Sequence, residues 1–190
     1  MRAARFGTEH FVLRPLEETD IDAMAAYLNE PEMIGRRYTP WGIRDIAPLS
    51  RKQVKGILEK WESEKKGFTL GIELRETGEL VGHAECNWHW DAHCPGIGIA
   101  VSPRHQRAGI ASEAVRLLLT HLFEDTPARN VSGWVMSWNE AGLAFAKASG
   151  FTASGRVPRS GIRDGAYCEA VMVDLLKPEW LATKGESNGA

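Results

Sequence analysis

The sequence feature that most constrains the fold is a change of hydrophobic period near the middle of the chain. Residues 96–101 (GIGIAV) form a short apolar run that Ser102-Pro103 ends, and the apolar positions of residues 109–124 then recur at helical spacing. A strand that leads through a turn into a long helix exposes unpaired N–H groups and the positive end of the helix dipole. The sequence therefore predicts an anion site at the turn, residues 102–109.

The rest of the chain alternates between the same two periods. Extended runs are predicted at residues 10–16, 68–74, 80–90, 129–137, 151–157 and 167–175, and helices at residues 19–28, 50–67 and 139–149. The order β-α-α-β-β-β-α-β-α-β-β predicts an α/β (α+β) fold, in which helices cover both faces of a mixed sheet. We expect a single domain over residues 1–182 and a flexible tail over residues 183–190, because the 190 residues contain no linker.

Composition excludes several classes of protein. The chain is 43% hydrophobic and 25% charged, which is ordinary globular usage, and its net charge of −2 argues against broad binding of nucleic acid. No apolar run reaches the roughly 18–20 residues that span a bilayer, and no apolar signal core follows the N-terminus. The three cysteines form no CxxC pair, which fits a reducing compartment. We expect a cytoplasmic protein without a membrane or nucleic-acid partner.

The turn before the long helix is neither of the two common phosphate-binding loops. The GxxxxGK[ST] loop requires Lys-Ser or Lys-Thr after its last glycine, and the GxGxxG turn requires three glycines, whereas this turn contains only Gly109. Arg104 and Arg107 would add charged donors, and the small side chains of Ala108 and Ala111 would leave room for ligand oxygens. Binding of ATP or NAD is therefore kept only as a third hypothesis.

Residues 106–111 (QRAGIA) match the Q/R-x-x-G-x-G/A signature of the GCN5-related N-acetyltransferase (GNAT) family. The resemblance extends to the opening residues 13–20 (LRPLEETD), the Val-x-Pro run before the turn, Asn139 after the fifth strand, and the Gly150-Phe151 pair that follows it. It covers roughly residues 10–176. The RPL-x-x-x-D opening and the Asp164-Gly165 hairpin most resemble the RimJ/RimL branch of the family.

The resemblance implies a mostly antiparallel sheet that splays between its fourth and fifth strands. It also implies an enzyme that transfers an acetyl group from acetyl-CoA, a co-substrate, to a primary amine by direct attack in a ternary complex. Backbone amides of the turn would hold the pyrophosphate, and backbone groups of two strand residues would pair with the pantetheine arm. The implied cofactor-binding residues are Ile99, Val101, Gln106, Arg107, Ala108, Gly109, Ile110, Ala111 and Asn139.

The chain departs from the family pattern at two catalytic positions. The position of the frequent general-acid tyrosine, seven residues after Asn139, is Ala146, and the carboxylate position of the fourth strand is Gly96. Tyr167 and Ser137 are alternative proton donors. Since a CoA thiolate is a tolerable leaving group, catalysis without a dedicated acid is also allowed.

A polar stripe on the third strand offers a replacement for the missing base. Alternate residues of a strand share one face, and the polar ones here are His83, Glu85, Asn87 and His89. We predict that Glu85 is the general base, with His83 as the second choice, because a polar stripe under covering helices is costly unless it lines a wet cleft. The alternative is that the strand protrudes beyond the helices and the stripe only meets solvent.

The remaining expectations concern metal, acceptor and partners. Histidines and cysteines cluster between residues 83 and 94, but their spacing lacks a CxxC or HxxxH pair, and we predict no metal site. The acceptor would enter beside residues 30–50 and the closing hairpin, as a small-molecule amine or a protein N-terminal amine. Amino acids, polyamines and aminoglycoside-like amines all qualify. The rival hypothesis is an acyl-CoA-binding sensor with weak or no catalysis, and a homodimer stays open.

Overall fold

The computed structural model describes residues 6–34, 48–88 and 91–187. The strands are β1 (Phe11–Pro15), β2 (Gly67–Leu74), β3 (Leu80–Asn87), β4 (Gly96–Val101), β5 (Asn130–Met136), β6 (Thr152–Arg163) and β7 (Ala166–Leu176). The helices are α1 (Ile21–Leu28), α2 (Arg51–Glu62), α3 (Ile110–Asp125), α4 (Glu140–Ala148) and α5 (Lys177–Ser187). The predicted order of elements is confirmed, and α5 is added to it.

The strands form one sheet in the order β1-β2-β3-β4-β5-β7-β6. Each neighbouring pair is antiparallel except β4 and β5, which run parallel. Their ladder contains a single pair, Gly96 with Ser132, supported by a hydrogen bond of 3.0 Å from the Ser132 N–H to the Pro95 carbonyl. The two strands therefore meet only at their amino ends. This confirms the predicted mixed, mostly antiparallel sheet that splays between the fourth and fifth strands.

Helices cover both faces of this sheet. On one face, α3 packs its apolar side against the β strands through fully buried residues such as Leu118, Leu122 and Phe123, and α4 joins the same core through Ala146. On the other face, α1 and α2 pack against β3 and β4 around Leu80 and a second set of buried side chains. Burial of each large apolar side chain contributes roughly 1.5–3 kcal/mol, so these cores fix the positions of the strands.

The opening RPL-x-x-x-D motif has a structural explanation. Arg14, on β1, donates to both carboxylate oxygens of Asp20 at 2.7 and 2.8 Å and also to Glu73 of β2. Asp20 also accepts the backbone N–H of Glu17 at 2.8 Å, within a short 3-10 turn that precedes α1. The Arg14 guanidinium holds the pKa of Asp20 below its usual value. The motif thus fixes the start of α1 against the sheet by a bidentate ion pair.

The closing hairpin confirms the prediction at Arg163-Asp164-Gly165 and is longer than the apolar pattern indicated. β6 reaches Arg163 and β7 begins at Ala166, so Asp164 and Gly165 form a two-residue turn with φ of 52° and 77°. Both values lie in the left-handed region that such hairpin turns require, and Asp-Gly is a favoured sequence for them. The third strand is shorter than predicted and ends at Asn87; His89 and Trp90 lie outside the described residues.

The C-terminal segment is helical over residues 177–187, where the sequence pattern predicted no helix. It forms α5, because Trp180 is only 5% exposed and packs against Phe123 with ring centroids 5.1 Å apart. Lys177 also donates to the Phe123 carbonyl. The sequence around Trp180 is mostly polar, so its apolar pattern does not predict this helix. Of the predicted flexible residues 183–190, those up to Ser187 are helical, and residues 188–190 lie outside the described part of the chain.

No helix within the described ranges has both the length and the apolar character that crossing a bilayer requires.

Candidate active site

The cleft between β4 and β5 is the first feature of the candidate site. The two strands touch at Gly96 and Ser132 and separate toward their carboxyl ends, Val101 and Met136. Ligands of open sheets bind outside the carboxyl ends of parallel strands. Here the Val101 carbonyl accepts the Gln106 side-chain amide at 2.9 Å. A carbonyl oxygen accepts two hydrogen bonds, so this contact leaves a lone pair of Val101 for a ligand in the cleft.

The turn that leads from β4 into α3 has a backbone suited to an anion. A short 3-10 turn at Pro103–His105 is followed by Arg107 and Gly109, which both have left-handed backbones with φ of 65° and 79°. Left-handed residues in a turn direct backbone N–H groups into one concave surface. Gly109 is the N-cap of α3 and has no side chain with which to cap the first turn. The N–H groups at the start of α3 are therefore available to an anion.

The structure gives a backbone reason for the glycine at position 109. A Cβ added there would meet no atom of the described chain within 4 Å. The backbone itself requires glycine, because φ of 79° costs other residues roughly 1–2 kcal/mol. The space beside this residue is open, so a ligand could approach the backbone here.

Charged side chains surround the turn and anchor it. Arg104 is exposed, and its Nε lies 3.7 Å from Oε1 of Glu30. Glu30 also accepts the hydroxyl of Ser102 at 2.8 Å, which ties the segment after α1 to the base of the turn. His105 lies 3.3 Å from Glu79, and Arg107 is exposed. Arg104 and Arg107 give the turn a positive surface. Sequence reasoning did not identify Glu30, since no spacing links it to Ser102.

Asn139 lies on the β5 side of the cleft, three residues beyond the end of β5. Its Oδ1 caps α4 by accepting the N–H of Gly142 at 3.0 Å, and its own N–H donates to Met136 at 2.8 Å. The Nδ2 donor is then the side-chain group with which Asn139 could contact a ligand. Ala146 is 6% exposed and packs in the core, so this position supplies no proton donor.

The polar side chains on one face of β3 lie in different surroundings. Glu85 is the cross-strand partner of Gly98, and its side chain lies across β4, because a Cβ built on Gly98 would fall 2.9 Å from the Glu85 Cγ and closer still to Oε1. Asn87 lies against Gly96 in the same way, with its Oδ1 3.4 Å from the position of a built Cβ. The carboxylate of Glu85 therefore lies over the strand that borders the cleft.

His83, the second candidate base, lies inside the core formed by α1 and α2. It is 2% exposed, its Nδ1 lies 2.8 Å from the Tyr27 hydroxyl, and its ring packs 4.8 Å from that of Trp61. Burial lowers the pKa of His83 to about 4, so the imidazole is neutral at physiological pH. Its enclosure favours a packing role over proton exchange with an acceptor. His89 lies outside the described residues.

The burial of His83 predicts a loss of stability in mild acid. The unfolded state takes up a proton near pH 6.5 while the folded state does not until about pH 4, so the free energy of unfolding should fall as the pH drops between these values. The difference of about 2.5 pKa units corresponds to roughly 3 kcal/mol. Urea unfolding at several pH values should show this loss in the wild type and a flatter dependence in His83→Gln. Parallel curves for the two proteins would contradict the assignment.

The two candidate proton donors differ in position. Ser137 follows β5 directly and is fixed by Glu169, which accepts the Ser137 N–H at 2.8 Å and donates its own N–H to the Ser137 hydroxyl at 3.1 Å. Tyr167 is 69% exposed and pairs with Ile162 near the tip of the closing hairpin. Ser137 is therefore the candidate that the fold holds at the carboxyl end of β5, where the cleft opens.

Among residues 6–34, 48–88 and 91–187, no three His, Cys, Asp or Glu side chains cluster as metal ligands would. The prediction of no metal site rests on spacing and stays a prediction.

Comparison with known proteins agrees with this geometry. The model of the acetyltransferase (GNAT) domain matches residues 10–152. Two Bacillus subtilis (strain 168) relatives are each 26% identical: "Uncharacterized N-acetyltransferase YoaA", over 90% of this chain and 96% of its own, and "Putative ribosomal N-acetyltransferase YdaF", over 93% and 96%. A GCN5-related N-acetyltransferase structure from Brucella melitensis superposes with a TM-score of 0.79 at 20% identity, over 95% of this chain and 81% of its own.

The domain match covers most of the chain and includes β4, the turn at residues 102–109 and α3. The relatives are matched over nearly their whole length, so the likeness extends beyond one motif. The splayed sheet and the matched domain lead to the same conclusion: the chain belongs to the GNAT family of acetyl-CoA-dependent N-acetyltransferases.

Proposed function

We propose that the protein acetylates a primary amine by direct attack on acetyl-CoA in a ternary complex, as in the RimJ/RimL branch. The observation that carries the proposal is the separation of β4 from β5 directly beside the glycine-started helix α3. A linear thioester whose diphosphate lies at the start of α3 can extend along the edge of β4. The cofactor supplies an activated acetyl group, and the chain's residues bind and orient it.

Binding is divided between backbone and side chains. Backbone N–H groups of residues 106–111 surround the diphosphate, and Arg104 and Arg107 offset its charge. Backbone groups of Ile99 and Val101 pair with the pantetheine arm. Asn139 contributes its Nδ2 from the opposite wall. Each such contact pairs a backbone or amide group of the chain with a polar group of the cofactor.

Glu85 takes the role of general base. An amine attacks only in its neutral form, so the carboxylate of Glu85 accepts the proton that the amine loses, directly or through one water. The C–N bond forms, the C–S bond breaks and CoA leaves as a thiolate. Thiols ionise near pH 8–9, so the thiolate is a tolerable leaving group. It then takes a proton from solvent, directly or relayed through the hydroxyl of Ser137, which regains its own proton from water.

A covalent intermediate on the strand cysteine does not fit the surroundings of that residue. Burial raises the pKa of the Cys86 thiol to about 12, so it stays protonated. The thiol is also 2% exposed, on the face of β3 that packs against α3. These facts support direct attack by the amine.

The acceptor is a small-molecule amine or a protein N-terminal amine. The second class is supported by the relative YdaF, whose name describes a ribosomal N-acetyltransferase. The rival function, an acyl-CoA sensor, is favoured by the buried Ala146 at the usual position of the general acid.

A thiol-release assay separates the two functions. The protein is given acetyl-CoA with a panel of amines: an N-terminal peptide of a ribosomal protein, spermidine, free amino acids and an aminoglycoside. Steady release of CoA that depends on one amine, with N-acetylated product seen by mass spectrometry, supports the enzyme. Binding of acetyl-CoA by calorimetry without turnover on any amine supports the sensor instead.

A further inference from the structure

We infer that Gly98 is a positioning residue for acetyl transfer, because its lack of a side chain leaves the space through which the carboxylate of Glu85 reaches the cleft. The inference rests on the proposed function, in which Glu85 is the base. It adds that the absence of a side chain at position 98 of β4 leaves room for this carboxylate.

The contact between the two residues is direct. Gly98 and Glu85 are opposite each other in the antiparallel ladder of β3 and β4. A Cβ on Gly98 would lie 2.9 Å from Cγ and 3.1 Å from Cδ of Glu85, and closer still to Oε1. Non-bonded carbon atoms pack at about 3.5–4.0 Å, so any side chain at position 98 must move the carboxylate. The glycine therefore determines where the carboxylate of Glu85 lies.

The backbone of β4 does not itself require glycine at this position. Among the glycines that the structure describes, those with positive φ are Gly78, Gly109, Gly150 and Gly165, whereas Gly98 lies within strand β4. The obstacle is also not backbone, in contrast to Gly82, where an added Cβ would meet the Ala100 carbonyl. At Gly98 the obstructing atoms belong to one flexible side chain. An alanine there is compatible with the sheet, and its cost falls on the position of Glu85.

Gly96 shows that the arrangement is specific to one ladder position. It lies on the same face of β4, two residues before Gly98, and a Cβ there would lie 3.4 Å from Asn87 Oδ1 and 3.6 Å from Nδ2. These are ordinary or slightly tight distances, so position 96 has room for a side chain. β4 could thus carry a side chain at 96 but cannot carry one at 98 without displacing Glu85.

The test is Gly98→Ala in the full-length protein, with Gly71→Ala as the matched control, because Gly71 is a strand glycine whose added Cβ would also meet only side-chain ends, those of Leu80 and Leu16. Misplacement of a catalytic group by about 1 Å can cost on the order of 100-fold in rate. We expect Gly98→Ala to lower kcat by about 10–100-fold and to shift the acid limb of the pH–rate profile, with the Kd for acetyl-CoA within about two-fold of wild type. Gly71→Ala should keep kcat within about two-fold, because β3 separates its strand β2 from β4. Equal effects of the two alanines, or an unchanged kcat in Gly98→Ala, would overturn the inference.

A double-mutant cycle excludes a general distortion of β4. If Gly98 acts only through Glu85, Gly98→Ala should have little further effect on kcat once Glu85→Gln is present. If the two substitutions instead lower kcat by the product of their separate effects, the alanine disturbs catalysis by another route and the inference fails.

Stability provides a readout that does not depend on the reaction. Gly98→Ala alone should lower the free energy of unfolding, and this cost should disappear in the Glu85→Ala background, where no side chain obstructs the Cβ. A cost that persists there would assign Gly98 to the sheet and refute the positioning role. Absence of turnover in the wild type would instead overturn the proposed function while leaving this steric coupling measurable.

Discussion

Gly109→Asp should reduce the affinity for acetyl-CoA by at least about 100-fold. The new carboxylate would stand beside the N–H groups at the start of α3, where the proposal places the diphosphate. Juxtaposed like charges cost several kcal/mol, and each 1.4 kcal/mol is a factor of ten in Kd. Isothermal calorimetry with acetyl-CoA measures the effect directly. A Kd within a few-fold of wild type would show that the diphosphate does not bind at this turn.

Two controls separate charge from backbone strain in that experiment. Gly78→Asp introduces the same side chain at φ of 70° in the exposed turn between β2 and β3, where a Cβ also meets no atom of the described chain within 4 Å. It should lower stability slightly and leave the Kd unchanged. Gly109→Asn has nearly the same shape as aspartate without its charge, so it should bind acetyl-CoA more tightly than Gly109→Asp. Equal affinities of the two would mean that strain, not charge, causes the loss.

Glu85→Gln should lower kcat by about 10²–10⁴-fold, the range over which general-base catalysis contributes. The amide cannot accept the proton of the attacking amine, but it preserves the size of the side chain across Gly98. The Kd for acetyl-CoA should therefore change little, and the acid limb of the kcat/KM profile should lose the ionisation of Glu85. Stopped-flow or steady-state thiol release across the pH range measures both quantities.

Glu76→Gln is the control for the loss of one carboxylate. This residue is exposed in the turn between β2 and β3, and its substitution should leave kcat at the wild-type value. An unchanged kcat with an unchanged pH profile in Glu85→Gln would reassign Glu85 to a structural role. Together the two main variants distinguish cofactor binding from catalysis. Gly109→Asp should lose affinity for acetyl-CoA, whereas Glu85→Gln should lower kcat and keep that affinity.

Periodicity predicts much of this fold because each amphipathic element buries one face. The change of period after Val101 located β4, the turn and α3, and the family resemblance supplied the splay. Both depend on local patterns or on motifs that are contiguous in the chain. Helix α5 was missed for the opposite reason: its one anchoring residue, Trp180, is stabilised by Phe123, which lies far away in the sequence.

The site was only partly predictable because alternation along a strand gives the face of a residue and not its depth. His83 and Glu85 share a face of β3, yet α1 and α2 bury the first while the second lies over β4. Depth depends on where helices from another part of the chain pack. The contact of Glu30 with Ser102 joins residues 72 positions apart. The clearance at Gly98 depends on strand register, which composition does not encode.

The single backbone pair between Gly96 and Ser132 has a mechanical consequence. It divides the sheet into two halves, β1–β4 and β5–β7–β6. Each half has a continuous hydrogen-bond ladder, and one backbone pair connects the two. An extended ligand that hydrogen-bonds to both β4 and β5 along the cleft would act as an inserted strand and would connect the two half-sheets. Binding of the ligand would then also make the sheet more rigid, and dissociation of the product would restore the original flexibility between the half-sheets.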